Sequence, residues 1–188
     1  MSADFEAART NMVESQVRTQ DVTDLAIVDA MRAVARESVI PAGKAFQAYA
    51  DSEVEYAPGR WLLSPRDVAK LLQHLKPRAG ESVLAIAAPY AAAVLREMGL
   101  AVEEKDADTA PIAGSYDLVL CEGAVAKAPA AWIAALAVGG RLGVVERDGP
   151  VGRAMLYLKS EGDVGARPLF DSTPPVLAGF AAERGFAF

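Results

Sequence analysis

Apolar positions along the chain change their spacing near Glu81. Before that point they recur three and four residues apart, the repeat of helices lying on a core. From about Ala7 to Arg18, Met12, Val13, Gln16 and Val17 share one face. Thr23 reads as the cap of a second helix with Leu25, Ile27, Val28, Met31 and Val34 turned inward, closed by Pro41. Residues 42–63 keep neither period and read as irregular. A third helix is signalled on several levels. Ser64 stands at the N-cap, Pro65 at the first helical position and Asp67 two further on, where its charge suits the positive helix start. Val68, Leu71, Leu72 and Leu75 form the buried face, and Lys76-Pro77 ends it.

After Glu81 the apolar residues run continuously, as in strands covered on both faces of a parallel sheet. Residues 83–87 and 117–121 are two such runs, with a shorter strand over 100–104 and a fourth over 141–146. Between them lie a helix from about Tyr90 to Met98, stopped by Gly99, and one from Pro129 carrying Trp132, Ile133, Leu136 and Val138, stopped by Gly139-Gly140. Residues 153–159 and 164–170, joined by Ser160-Glu161-Gly162-Asp163, read as a hairpin. Strand and helix in alternation predict an α/β fold with a mostly parallel sheet and an antiparallel C-terminal hairpin. No linker composition divides residues 1–188. A single domain is expected, with residues 1–80 as an N-terminal helical part and 81–188 as the sheet core.

Composition narrows the function classes. The 188 residues carry 19 basic and 25 acidic side chains, a net charge of −6 that argues against nucleic acid as a partner. One Cys and one His leave no internal disulfide and little material for a metal site. No apolar run approaches a membrane span, and residues 1–11 lack the apolar stretch of a signal peptide, so a cytoplasmic protein is expected. His74, beside Lys76 and Arg78, reads as a surface or helix-end histidine, and Cys121 as an inert core thiol. Tyr49, Tyr56, Trp61 and Tyr90 are aromatic residues that either pack or line a cleft.

In order and spacing the chain resembles the protein-L-isoaspartate O-methyltransferases. The resemblance runs nearly end to end, through Met12–Arg18, Val22–Pro41, Ala48-Tyr49-Ala50-Asp51, Gly59–Ala69, Ser82–Ile86, Tyr116-Asp117 and Val138–Leu142. It implies a Rossmann-like fold, S-adenosylmethionine as cofactor, and a protein substrate carrying isoaspartyl residues. By that resemblance the cofactor would face Ala85, Ala87 and Tyr90, with Glu104 at the ribose. The family's substrate-loop serine falls on Leu63, and Ser64 would replace it only if the loop shifted by one.

The departures all fall on the cofactor side. The family's glycine-rich turn after the first strand is here Ile86-Ala87-Ala88-Pro89-Tyr90, without glycine and two residues shorter. Pro89 also lacks an N–H and fixes φ. Only Lys105 to Tyr116 separates two strands between which the family has a helix and a further strand, so one crossover unit is expected to be missing. Leu100-Ala101-Val102 should then be a sheet edge, protected by Glu103, Glu104 and Lys105 or paired in a homodimer. The expectation is a family scaffold with methyl-donor binding lost or strongly reduced, serving as a binding or structural module. The alternative is an active methyltransferase repairing isoaspartyl residues. Loss of contacts on several sides of one ligand, at about 1 kcal/mol or more each, favours the former.

Overall fold

A computed structural model describes residues 4–109, 112 and 114–182. The change of period at Glu81 separates a helical layer from a sheet. Helix α1 (Phe5–Met12) is capped by the Asp4 carboxylate, which accepts from the Ala7 amide at 3.0 Å. It runs on through a widened turn at Val13–Val17 and a tight one at Arg18–Gln20, burying Met12, Val13 and Val17.

Helix α2 (Leu25–Ala33) is capped by Asp24 rather than Thr23. Asp24 Oδ1 accepts from the amides of Ala26 and Ile27, while the Thr23 amide is taken by Gln73 of the third helix. Leu25, expected inward, is 70% exposed; two residues from Ile27, it lies about 160° round the helix axis.

Residues 42–63 are more ordered than their sequence suggests. A 3₁₀ segment (Ala42–Gln47) leads to the antiparallel hairpin β1 (Val54–Ala57) and β2 (Arg60–Leu62), which turns at Pro58-Gly59. Strands of four and three residues are too short to display a period of two. Helix α3 (Pro65–Leu75) forms as its signals predict. Ser64 Oγ accepts from the Asp67 amide at 3.2 Å, and Val68, Leu71, Leu72 and Leu75 are fully buried.

The sheet holds β3 (Ser82–Ile86), β4 (Ala101–Lys105), β5 (Tyr116–Val125), β6 (Leu136–Arg147), β7 (Gly152–Ser160) and β8 (Asp163–Asp171). Their order is β4-β3-β5-β6-β7-β8, parallel from β4 to β6 and antiparallel through β7 and β8. Helix α4 (Pro89–Glu97) connects β3 to β4. Helix α5 (Ala130–Ala134) is shorter than the expected helix through Val138. The Ala135 carbonyl accepts from the Tyr116 amide, and Leu136 already pairs with Tyr116, so the sheet captures the chain there.

Among the described residues nothing helical or extended lies between β4 and β5, and β4 is an edge. The fold is the expected α/β architecture with one crossover unit absent. Helices α1 to α4 cover one face of the sheet, with Met12, Ile27, Leu72 and Leu95 in one core. The other face is covered by Trp132 of α5 and by Leu177 and Phe180 of the C-terminal segment.

Candidate functional site

Open parallel sheets bind ligands beyond the carboxyl ends of their strands. At that end of β3 the chain turns through Ala87-Ala88 into α4. Ala87 holds a left-handed φ of 46°, a conformation glycine adopts without the steric cost of a Cβ, and its amide donates to the Lys105 carbonyl at 2.8 Å. Ala88 has no side chain with which to cap α4, and Pro89 occupies its first turn.

The cap comes from β5. Glu122, fully buried, accepts from the Ala91 amide through Oε1 at 2.6 Å and from the Leu63 amide through Oε2 at 3.1 Å. An irregularity in β5 between Leu120 and Ala124, with Gly123 at φ 90°, interrupts the regular alternation of the strand at this residue. Burial pushes the Glu122 carboxyl up to about 7, against the opposing pull of Arg36 and the two amides.

Arg36 is equally buried. Its Nη2 donates to the Leu63 carbonyl at 2.6 Å, and its guanidinium lies 4.6 Å from the centre of the Tyr90 ring. Burial lowers its pKa, opposed by the nearby Tyr90 and Glu122. Among the described residues Arg36 Nε and Nη1, Tyr90 Oη and Gln16 Oε1 have no hydrogen-bond partner.

Above this cluster the chain closes on itself. Arg60 of β2 donates to Asp106 at 2.6 Å, to Asp108, and to the Ala178 carbonyl at 3.3 Å. Residues 175–180 bond to Ala124 and Ala126 at the end of β5, and the Ala178 amide donates to Gly59. A Cβ on Gly59 would stand 2.5 Å from that of Ala178, so the hairpin and this segment approach as closely as glycine permits. What is left open is a cavity of about 250 Å³ between Tyr56, the Ala87–Pro89 turn and the Glu104–Asp106 strand end.

The residues expected to form the site are placed as follows. Ala85 is fully buried, its β3 strand flanked by β4 and β5, and Ala87 is almost fully buried at the turn. Tyr90, in the first turn of α4, points into the core instead of lining an opening. Glu104 is on the rim of the cavity and paired with Arg96 at 2.5 Å. Leu63 is fully buried, and Ser64 is spent on capping α3. His74 has Nδ1 2.8 Å from the Lys70 carbonyl, and the Cys121 thiol is buried and raised in pKa. Glu122, Arg36 and Arg60 were not singled out by the sequence. The signal for the first was present, a carboxylate inside the apolar run Leu118–Val125. Arg36 and Arg60 sit among mixed residues that carry no such mark. No group of three potential ligands for a metal ion occurs among the described residues.

Comparison with known proteins places these features in context. A family model described as protein-L-isoaspartate(D-aspartate) O-methyltransferase matches residues 7–107, ending where the short connection to β5 begins. A protein-L-isoaspartate O-methyltransferase of Methylorubrum populi is 34% identical over 186 residues, covering 84% of this chain and 87% of its own. That of Methylorubrum extorquens is 42% identical over 97 residues, covering 50% of this chain and 42% of its own. A solved protein-L-isoaspartate O-methyltransferase superposes with a TM-score of 0.72 at 18% identity, over 91% of this chain and 66% of its own. A Plasmodium falciparum chain, described as a protein-L-isoaspartate O-methyltransferase and solved in complex with S-adenosyl-L-homocysteine, gives 0.73 at 14% identity over 90% and 97%.

Proposed function

The chain belongs to the protein-L-isoaspartate O-methyltransferase family, and from that premise we propose that it keeps the scaffold as a non-catalytic binding or structural module, with methyl-donor binding lost or strongly reduced. The observation that carries this is the filling of the carboxyl end of β3 by the chain's own groups. Tyr90, on the buried side of α4, packs against Arg36, the Glu122 carboxyl takes the Ala91 amide of that helix, and Arg60 ties the hairpin across Asp106 and Asp108. The open volume of about 250 Å³ lies below the roughly 300–1,000 Å³ usual for pockets that take small molecules. On this reading S-adenosylmethionine does not fit the residues present. Ala87 and Pro89 replace the flexible turn that would admit it, and no chemical step is assigned to it.

The partner is then a protein, and no nucleic-acid face is expected at a net charge of −6. Among the described residues no helix is long and apolar enough to cross a membrane, and a cytoplasmic setting stays part of the proposal. A homodimer through β4 is the association we expect, since that edge has no strand beyond it. Sedimentation that finds monomer alone at high concentration overturns the dimer.

A second reading, an active methyltransferase for isoaspartyl residues in proteins, draws on one observation. The remaining cavity lies at a strand carboxyl end beside Glu104, the position where the ribose would be held. Titration calorimetry with S-adenosylmethionine and S-adenosylhomocysteine separates the two. No heat at millimolar ligand is expected, and micromolar binding of either overturns the closed-site reading.

A further inference from the structure

Helix α4 is nine residues long and begins at the carboxyl end of a central parallel strand, the position where folds of this kind receive anionic ligand groups. Here the chain supplies the group itself. Glu122 joins two segments distant in sequence, the α4 N-terminus at Ala91 and the β2–α3 connection at Leu63. The same Leu63 gives its carbonyl to Arg36. One residue is thus held on its N–H side by a buried carboxyl and on its C=O side by a buried guanidinium. Arg36 has two further nitrogens without a partner among the described residues, although it is wholly buried. A buried guanidinium in that state is a standing demand for an acceptor.

We propose that Glu122 is a built-in ligand: its carboxyl group fills a carboxyl-binding site made by the Ala91 amide, the Leu63 amide and the neighbouring Arg36, and the same site, emptied of Glu122, takes a small free carboxylic acid. This deepens the closed-site reading and rests on it, since the plug stands between the helix that would face a methyl donor and the loop that would face its acceptor. It makes two directional contacts with amides and lies within the field of a cation, so the site selects for a planar two-oxygen group over a spherical anion.

The test uses the full chain and the variant Glu122→Ala, with formate and acetate as probes against chloride at matched ionic strength near pH 6. The expected result is a saturable rise of several degrees in the melting temperature of the variant with formate or acetate. Chloride should give none, and the wild-type chain should show no specific response. Equal shifts in both proteins, or no carboxylate-specific shift in the variant, overturn the proposal. Should the variant be unfolded in chloride, refolding is the readout: formate must restore the native near-ultraviolet dichroism, and failure to do so overturns the proposal equally. A chain that binds S-adenosylmethionine yet shows this rescue keeps the plug and loses the closed-site reading. A chain that binds neither ligand nor probe does the reverse.

Discussion

Helices α3 and α4 start almost alike and are completed in opposite ways. Each has proline at its first position and follows directly on a strand. Helix α3 is capped by Ser64, three residues from the amide it serves. Helix α4 has Ala88 at that place, and its amide is served by Glu122, thirty-one residues away on another strand. A local cap makes a helix start a property of its own sequence. A remote cap makes it a property of the assembled core, and places a polar group where a ligand would otherwise go.

The strongest way to break the contrast is Glu122→Ala. It leaves two buried amides unserved and Arg36 without its nearby carboxyl, so stability should fall by about 3–5 kcal/mol in urea denaturation. A loss below about 1 kcal/mol would place the Glu122 cap on a par with that of Ser64.

The dependence on pH comes next in size. Burial raises the Glu122 carboxyl from an ordinary value near 4.5 to about 7. Between these values the folded chain retains a proton that the unfolded chain releases. Its contribution to stability is therefore whole below about pH 4.5 and declines as the pH climbs through 7, by a few kcal/mol at most. Glu122→Gln should flatten that decline when unfolding is followed from pH 5 to 8, and an unchanged slope would assign the titration to another group. Ser64→Ala, by contrast, should cost about 1 kcal/mol at every pH in the same assay.

The smallest effect is expected at the turn before α4. Ala87→Gly removes a Cβ from a left-handed residue but loosens the unfolded chain, so the net change should stay within about 1 kcal/mol. A large destabilisation would mean that the Ala87 methyl is needed for packing.

The same contrast explains what could be read in advance. The elements of α3 are encoded within four residues, Ser64 to Asp67, and the buried strands announce themselves as apolar runs. The absence of a crossover unit was legible as a simple count between Lys105 and Tyr116. Helix α5 is shorter than its apolar spacing predicts because Leu136 and Val138 fit a helical repeat as well as the entry to a strand, and the pairing of Leu136 with Tyr116 decides for the strand. Asp24 rather than Thr23 caps α2 because the helix starts one residue later than its spacing suggests, with Gln73, fifty residues beyond Thr23, holding the amides of both Thr23 and Asp24. The departures at the cofactor turn pointed to a reduced site but not to what replaced it. Arg36, Leu63, Tyr90, Ala91 and Glu122 meet only once four separate segments have folded, and no spacing rule connects them.

The segment 175–180 has a consequence in time. Its bond from Ala178 to Gly59 spans 119 positions, and its bridge from Val176 to Ala124 spans 52. During synthesis the helical layer and most of the sheet emerge first, while the top of β5 and the β1–β2 hairpin wait for partners not yet made. A nascent chain of which the residues up to Ser172 have left the ribosome therefore carries an assembled core whose upper end is still open. It closes only when the following residues clear the ribosome, so arrested chains of increasing length should resist proteolysis at the hairpin in a late, separate step.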